Sequence, residues 1–333
     1  MTTYIGIDVA KATLAVALWR TGPAERVGTF ANTPAGWEAL ASALEQRRVG
    51  EEGQWSVVLE PTGGYEVPLA LWARARGWRV SLPHPLTVRR WAAGIGQRAK
   101  TDQQDARLLA QYGAERHPAE WTPLAQEVSE LEAWLGRRRD LEQWVQQEQR
   151  RLEQWRERPG IPAGVLESIE RHLEQLEAER AAVEAAIAAH LAQHQVLTEQ
   201  YQQVQTVPGI GRKNGAALVV LLSRWQARTQ GQGTGKGLSA YVGLDPQTKE
   251  SGTSLKAHAL ISRQGDAEMR RLLYMGALGA LRGDNAVRRF YDRLVGRKKA
   301  KKVALLAAAR KILVWAWAVF QSGQPFDAQR CAG

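Results

Sequence analysis

Cysteine is almost missing from this chain. Cys331, two residues from the last, is the single one in 333 residues. That excludes a disulfide framework and a cysteine-based zinc site, and it fits a reducing cytoplasm. Long apolar runs are missing too. No stretch reads as long and apolar enough to span a bilayer, so no membrane partner is expected. The start, Met1-Thr2-Thr3-Tyr4, has no basic region before it runs into a strand pattern, so no signal peptide is expected. Neither a zinc-finger pattern nor a DNA-recognition helix stands out. Acidic residues are scarce in one half only. Residues 201–333 carry 22 Lys+Arg against 7 Asp+Glu, and residues 1–200 carry 23 against 27. A near-neutral front and a strongly basic back is the footprint of a protein whose rear meets a polyanion. Without a lipid-anchoring segment, nucleic acid is the favoured polyanion.

What is present divides into three stretches, large enough together for two or three domains. Residues 1–120 alternate strand and helix signals, with strands at 4–8, 13–19, 26–31, 55–59 and 78–82 and helices at 34–48 and 67–76. Short early connections predict an antiparallel meander entering a mixed α/β sheet. Pro83-His84-Pro85 reads as a break. Residues 121–203 are rich in Glu, Gln, Arg and Leu and predict a helical hairpin or coiled coil, broken at Pro159-Gly160-Ile161-Pro162. A self-contained helical spacer is the plain reading, and an exposed apolar seam favours a dimerisation arm. Residues 204–333 predict a mainly helical third domain, with a loop at 226–237 and core helices at 266–282 and 302–320. Val207-Pro208-Gly209-Ile210-Gly211-Arg212-Lys213 resembles the hairpin of a helix-hairpin-helix element, whose glycines let backbone amides approach phosphates. A Gly-rich turn between packed helices explains the same residues. Trp91 beside Arg89 and Arg90, and Trp225 beside Arg224, are candidate base-stacking aromatics.

Four carboxylates carry the sharpest chemical signal. Asp8 closes the apolar strand Tyr4-Ile5-Gly6-Ile7-Asp8, and Glu60 closes Trp55-Ser56-Val57-Val58-Leu59-Glu60. Asp102 and Asp105 lie three apart in a helical stretch and so share a face. Hard oxygen ligands in such a set suit Mg²⁺ (or Mn²⁺), and two such ions can clamp a phosphoryl displacement.

Two groups of motifs resemble the IS110-family transposases. Ile5-Gly6-Ile7-Asp8, Glu60-Pro61-Thr62-Gly63-Gly64-Tyr65 and Lys100-Thr101-Asp102-Gln103-Gln104-Asp105-Ala106 resemble the family's DEDD, RuvC-like nuclease domain. Gly243-Leu244-Asp245-Pro246, Glu250-Ser251-Gly252-Thr253-Ser254 and Ile261-Ser262-Arg263-Gln264-Gly265-Asp266 resemble its C-terminal transposase domain. The family often has Lys-x-Gly-Asn where this chain has Arg263-Gln264-Gly265-Asp266, which keeps a cation and a Gly turn. The resemblance implies an RNase H-like first domain in which Asp8, Glu60, Asp102 and Asp105 bind divalent metal. It implies a catalytic serine, Ser251 by motif match, with Ser254 and Ser262 as alternatives. Gly252 would let the backbone come close to a phosphate.

A serine hydroxyl needs a base or metal to become a good nucleophile. A serine–DNA phosphoester conserves bond energy, so strands can be cut and rejoined without ATP. The site expected from the resemblance is therefore composite, with carboxylates from one domain and serine from another. The resemblance also implies donor and target DNA, a structured guide RNA, and a homodimer that assembles to a tetramer. Candidate phosphate contacts are Arg212 and Lys213 in the hairpin, and Lys256, Arg263, Arg270 and Arg271 around the second block. Arg297, Lys298, Lys299, Lys301 and Lys302 form a basic run. The rival readings are a RuvC-like endonuclease or resolvase that uses water, and a non-catalytic nucleic-acid-binding protein. Site-specific invertases share the motifs and are not separated from transposases by sequence.

Overall fold

Alternating apolar residues build a five-stranded sheet in the front of the chain. The computed structural model describes residues 2–47, 53–97, 101–247, 250–251, 255–256 and 260–329, with backbone alone at 247, 250–251, 255–256 and 260. The chain divides into two compact units, Met1–Pro123 and Leu124–Gly333.

In the first unit, β1 (Thr3–Val9), β2 (Thr13–Trp19) and β3 (Glu25–Ala31) precede α1 (Pro34–Glu45), β4 (Trp55–Leu59), α2 (Val67–Ala75) and β5 (Arg79–Ser81). The sheet order is β3-β2-β1-β4-β5. The β1–β2 and β2–β3 pairs are antiparallel, and β1–β4 and β4–β5 are parallel. This is the meander entering a mixed sheet that the sequence predicts. Successive side chains on a strand point to opposite faces. Ile5, Ile7, Val9, Leu14, Val16, Leu18, Val57 and Leu59 face a core shared with Leu40 and Leu44 of α1 and Leu69 of α2.

The opposite face receives α3 (Pro85–Gly94) and α4 (Asp102–Arg116). There Val58 packs with Val88, Trp91, Leu109 and Tyr112. Ala15 and Ala17 of β2 meet Ala106. Helix α3 corrects the expectation of a plain break at 83–85. Pro85 sits in the first turn, where a proline loses no helical hydrogen bond, and the His84 ring accepts from the Leu86 amide at 3.2 Å.

The second unit begins with two 31-residue helices, α5 (Gln126–Arg156) and α6 (Ala163–Gln193). Ion pairs Arg156–Glu170, His172–Glu148 and Arg137–Glu179 step in opposite directions along the two helices, so the hairpin is antiparallel. Next come α7 (Gln195–Gln205), α8 (Arg212–Thr229) and α9 (Gly235–Val242). Four two-residue strands follow: β6 (Pro246–Gln247), β7 (Glu250–Ser251), β8 (Leu255–Lys256) and β9 (Leu260–Ile261). Last are α10 (Ala267–Ala280), α11 (Ala286–Gly296) and α12 (Lys301–Ser322).

Three expectations change here. The stretch 226–237 is not all loop, because α8 runs to Thr229 and α9 starts at Gly235. The turn between them is tied down by Trp317, whose indole N–H donates to the Gly233 carbonyl at 3.0 Å. Residues 121–203 and 204–333 do not separate as packing units. Leu131, Leu141, Val145 and Ile187 of the hairpin share one core with α8, α10 and α12. Finally, α12 is long and apolar enough by length and composition to cross a membrane, against the sequence expectation. Its apolar faces are used within the fold instead. Leu305, Ile312, Leu313, Trp315 and Trp317 are buried in the shared core, each worth about 1.5–3 kcal/mol or more of transfer free energy.

Candidate active site

The two strand-ending acids become neighbours through register. In the parallel β1–β4 pair, Ile7 stands opposite Leu59, so Asp8 and Glu60 are the next step along two adjacent strands. Backbones at that spacing are about 4.8 Å apart. Tyr4, Gly6 and Asp8 share one face of β1 with Val58 of β4, and Glu60 is the residue that follows β4.

Helix α4 lies on that face and runs against β1. A Cβ on Gly113 would stand 2.8 Å from Tyr4 Cδ1 and from Val58 Cγ2, so the far end of α4 lies over Tyr4. A Cβ on Gly6 would stand 2.0 Å from the Ala106 carbonyl oxygen and 2.3 Å from the Ala110 nitrogen. Only glycine permits that backbone approach. One turn further toward its N-terminus the helix presents Asp105 and Asp102, at the end of the sheet where Asp8 and Glu60 stand. Thr101 caps that end, accepting from the Gln104 amide at 3.3 Å. Gln103 reaches β3 and donates to Thr29 Oγ1 at 3.2 Å. A helix N-terminus favours negative charge, which offsets part of the cost of gathering acids there.

Among the described residues, no three of these four carboxylates have donor atoms within 4.8 Å of one another; that closeness belongs to Glu130, His190 and His194. The fold brings the acids to one end of one face without closing a ligand cage. Asp102 is exposed, while Asp8, Glu60 and Asp105 are half-buried. Arg89 of α3 stands 3.6 Å from Glu60. As hard oxygen donors beside a solvated edge, the four fit a divalent cation such as Mg²⁺.

Two residues that sequence reasoning missed hold the loops around these acids. Glu66 is 6% exposed, and its carboxylate accepts from the Thr62 amide at 2.9 Å and the Gly64 amide at 3.0 Å. It thereby fixes the turn that follows Glu60. Asn32 donates to the carbonyls of Ala10, at 3.1 Å, and Tyr65, at 3.3 Å, joining the segment after Asp8 to the segment after Glu60. The available signal was an acid at the end of the Gly-rich block Thr62-Gly63-Gly64-Tyr65-Glu66.

In the second unit, Ser251 lies on β7 and pairs with Leu255 of β8, inside the outer β6–β9 pair. The base of this double ladder is closely packed. A Cβ on Gly243 would stand 2.2 Å from the Gln264 carbonyl oxygen, and one on Gly265 would stand 2.1 Å from the Tyr241 carbonyl oxygen. The Ser262 hydroxyl donates to Asp245 at that base. Ser254 and Gly252 lie outside the described residues, and Lys256 is described by backbone alone. Arg263 is exposed in a left-handed conformation. Arg270 donates to the Val242 carbonyl at 2.8 Å, a structural task.

A cleft of about 810 Å³ lined from α5, α6, α8 and α10 collects Arg212, Lys213 and Arg271 with four further cations, Arg138, Arg139, Arg180 and Arg224, against the acids Glu132, Glu142, Asp266 and Glu268. These come from helices distant in sequence, which is why sequence reasoning did not group them. The Glu268 carboxyl is held below the usual carboxylate range by its hydrogen bonds from Arg271, against the opposing effect of burial. Gly209 of the hairpin turn is used for packing: a Cβ there would stand 2.8 Å from the Gly276 carbonyl oxygen. Gly211 donates to the Asn214 side chain at 2.6 Å. The turn is therefore at least partly a joint between helices. Arg297, Lys298 and Lys299 between α11 and α12, and Lys301 and Lys302 on the first turn of α12, are exposed, and Ala300 offers that helix no side-chain cap. Trp91 and Trp225 are buried against Tyr112 and Tyr241, so neither is available to stack on bases.

Comparison with known proteins covers most of the chain. Residues 5–155 match a transposase family model, the DEDD type of IS110. Residues 201–292 match a model described as transposase IS116/IS110/IS902 family. The pilin gene-inverting protein of Moraxella lacunata is 30% identical over 326 residues, 98% of each chain. Its namesake in Moraxella bovis is 29% identical over the same share of both. The insertion element IS110 uncharacterized 43.6 kDa protein of Streptomyces coelicolor is 33% identical over 177 residues, 51% of this chain and 40% of that one.

Proposed function

This chain belongs to the IS110 family of transposases, and on that premise we propose that it is a DNA strand-exchange enzyme working through a serine–DNA phosphoester. The observation that carries the reading is the pairing of Ile7 with Leu59 under a helix that Gly6 admits, which gathers Asp8, Glu60, Asp102 and Asp105 at one sheet end. The strand order and the pattern of parallel and antiparallel pairs support an RNase H-like domain. Full-length similarity to the pilin gene inverters supports inversion as well as insertion of DNA.

In this mechanism Asp8, Glu60, Asp102 and Asp105 would hold Mg²⁺ or Mn²⁺. When bound, such an ion supplies Lewis-acid stabilisation of phosphoryl charge and lowers the cost of deprotonating the attacking hydroxyl. Ser251 Oγ attacks the scissile phosphorus and loses its proton. The bond from phosphorus to one strand oxygen breaks, and that oxygen leaves as a strand-end hydroxyl. Attack by a hydroxyl of the exchanged strand then reverses the step and frees the serine, so the number of phosphodiester bonds is conserved. The stem fixed by Gly243 and Gly265 gives the serine strands a firm base, and donation from Ser262 to Asp245 gives Ser262 a structural task. The cationic cleft and the basic turn before α12 supply sequence-independent grip on backbones. Sequence choice then falls to pairing with a structured guide RNA, and the long helical hairpin serves as a dimerisation arm toward a tetramer in the cytoplasm.

The test is Ser251→Ala beside Ser262→Ala, assayed with Mg²⁺ for strand exchange and for a covalent protein–DNA adduct. Ser251→Ala is expected to abolish both, with the fold intact by thermal melting. Recombination at wild-type rate by Ser251→Ala would refute the serine route. Cleavage without an adduct in the wild type would favour a nuclease that uses water.

A further inference from the structure

A second donor cluster lies in the helical unit, on residues that have no role in the reading above. Glu130 stands on the second turn of α5, His190 on the last turn of α6, and His194 is the single residue between α6 and α7. Their ligand atoms all lie within 4.8 Å of one another. We propose that these three residues bind a zinc ion at the joint of α5, α6 and α7.

The hydrogen bonding of His190 carries the argument. The ring is 7% exposed, and its Nε2 lies 2.8 Å from the Glu127 carbonyl oxygen. A carbonyl only accepts, so Nε2 carries the hydrogen. In the neutral ring the lone pair is then on Nδ1. That Nδ1 faces Glu130 Oε2 at 3.8 Å. The other carboxylate oxygen of Glu130 accepts from Gln126 at 2.8 Å, so Oε2 is the one left toward the ring. A nitrogen lone pair and a carboxylate oxygen face each other across a partly buried gap. A second proton on the ring, a water donating to both, or a metal ion makes that favourable. The His194 ring, 4.6 Å from His190 between centroids, adds a second imidazole to the same gap. A proton would need only one of the three donors, whereas a metal ion uses all three.

The chemistry selects the ion. Metal-ligating histidines commonly donate their second ring N–H to a carbonyl or carboxylate, which fixes ring and tautomer, as Glu127 does here. Two imidazoles and one carboxylate suit zinc and its neighbours, and suit magnesium poorly. Zinc bonds of about 2.0–2.1 Å place tetrahedral donors about 3.4 Å apart. The His190–Glu130 pair must therefore close by about 0.4 Å from its 3.8 Å spacing. Glu130 is 47% exposed on the side chain and His194 sits in a helix junction, so these two move toward a fixed His190. Water fills the fourth position. The ion ties the first turns of α5 to the end of α6, closing the base of the hairpin, and adds stability that grows with the logarithm of free zinc above its dissociation constant.

The experiment uses the full chain, stripped with EDTA and then held in excess Mg²⁺ so that the carboxylates of the first unit are filled. Zinc is titrated against a chromogenic chelator, retained metal is counted by elemental analysis, and thermal melting is followed with and without zinc. Wild type is expected to retain one zinc per chain and to melt higher with it. Glu130→Gln and His194→Gln each change a side chain that is not fully buried, and are expected to weaken zinc by more than about tenfold and to lose the melting shift. Cobalt in place of zinc is expected to give the intense visible bands of a tetrahedral site in wild type alone. Equal zinc retention in wild type and both variants, or none in wild type, overturns the proposal and leaves an imidazolium–carboxylate ion pair.

Discussion

Gly6 offers a direct test of how the acids are positioned. In Gly6→Ala the new Cβ would lie 2.0 Å from the Ala106 carbonyl oxygen and 2.3 Å from the Ala110 nitrogen. A carbon against a carbonyl oxygen settles at about 3.3 Å, so α4 and β1 must part by about 1.3 Å. The obstacle is backbone on both sides, and no side-chain rotation relieves it. Overpacking of this kind costs about 1–3 kcal/mol of stability. The larger effect falls on chemistry, because Asp102 and Asp105 ride on the helix while Asp8 rides on the strand. A displacement near 1 Å at a reacting centre costs on the order of 10²-fold in rate. Gly113→Ala is the control. Its Cβ would meet Tyr4 Cδ1 and Val58 Cγ2 at 2.8 Å, side chains rather than backbone. That position is about 16 Å along the helix from Asp102. The assay is Mg²⁺-dependent cleavage of a cognate DNA, with urea unfolding on the same samples. Gly6→Ala is expected to lose at least about 10²-fold in cleavage while still unfolding cooperatively, and Gly113→Ala to lose far less. Wild-type cleavage by Gly6→Ala would show that the helix–strand contact does not set the acids.

Glu66→Gln exchanges a charged acceptor of two loop amides for a neutral one, and is expected to cost about 1.5–3 kcal/mol in urea unfolding and to lower cleavage by loosening the turn after Glu60. Unchanged stability would mean that those amides find other partners. Glu268 titrates below its ordinary range because Arg271 hydrogen-bonds its charged form. The pair's contribution is therefore complete above the unfolded value of about 4.3 and is lost as pH falls through the lowered folded value. Glu268→Gln is expected to flatten that acid limb of stability and to release Arg271 toward the cleft, which tightens DNA binding in low-salt fluorescence anisotropy. Weaker binding by this variant would place Glu268 on the nucleic-acid side of the cleft.

The front of the chain was legible because strand signals there are local. Ile5 and Ile7 alternate with Gly6 and Asp8, and a carboxylate closing an apolar strand is visible without a structure. That Asp8 and Glu60 are side by side required only a parallel β1–β4 register. Helix α3 was misread because Pro83-His84-Pro85 carries the same residues as a stop, although Pro85 serves as a start. The double ladder around Ser251 was missed because two-residue strands leave no period to detect. Arg89 and Arg90 beside Trp91 suggested a stacking platform. Only packing reveals that the indole turns inward to Tyr112. The cleft cations and the Glu130–His190–His194 cluster depend on helices that meet far from one another in sequence, which no window of neighbouring residues contains.

Among the described residues α12 follows every other regular element in the chain, and it supplies Ile312, Leu313, Trp315 and Trp317 to a core shared with helices made long before it. Those earlier helices wait with their apolar sides uncovered until about residue 320 has been synthesised. A message cut short upstream of that point yields a front sheet able to fold beside a rear half that cannot, and such products are targets for chaperones and proteases. This ordering means that the helices around the cationic cleft reach their final packing only once α12 has been made.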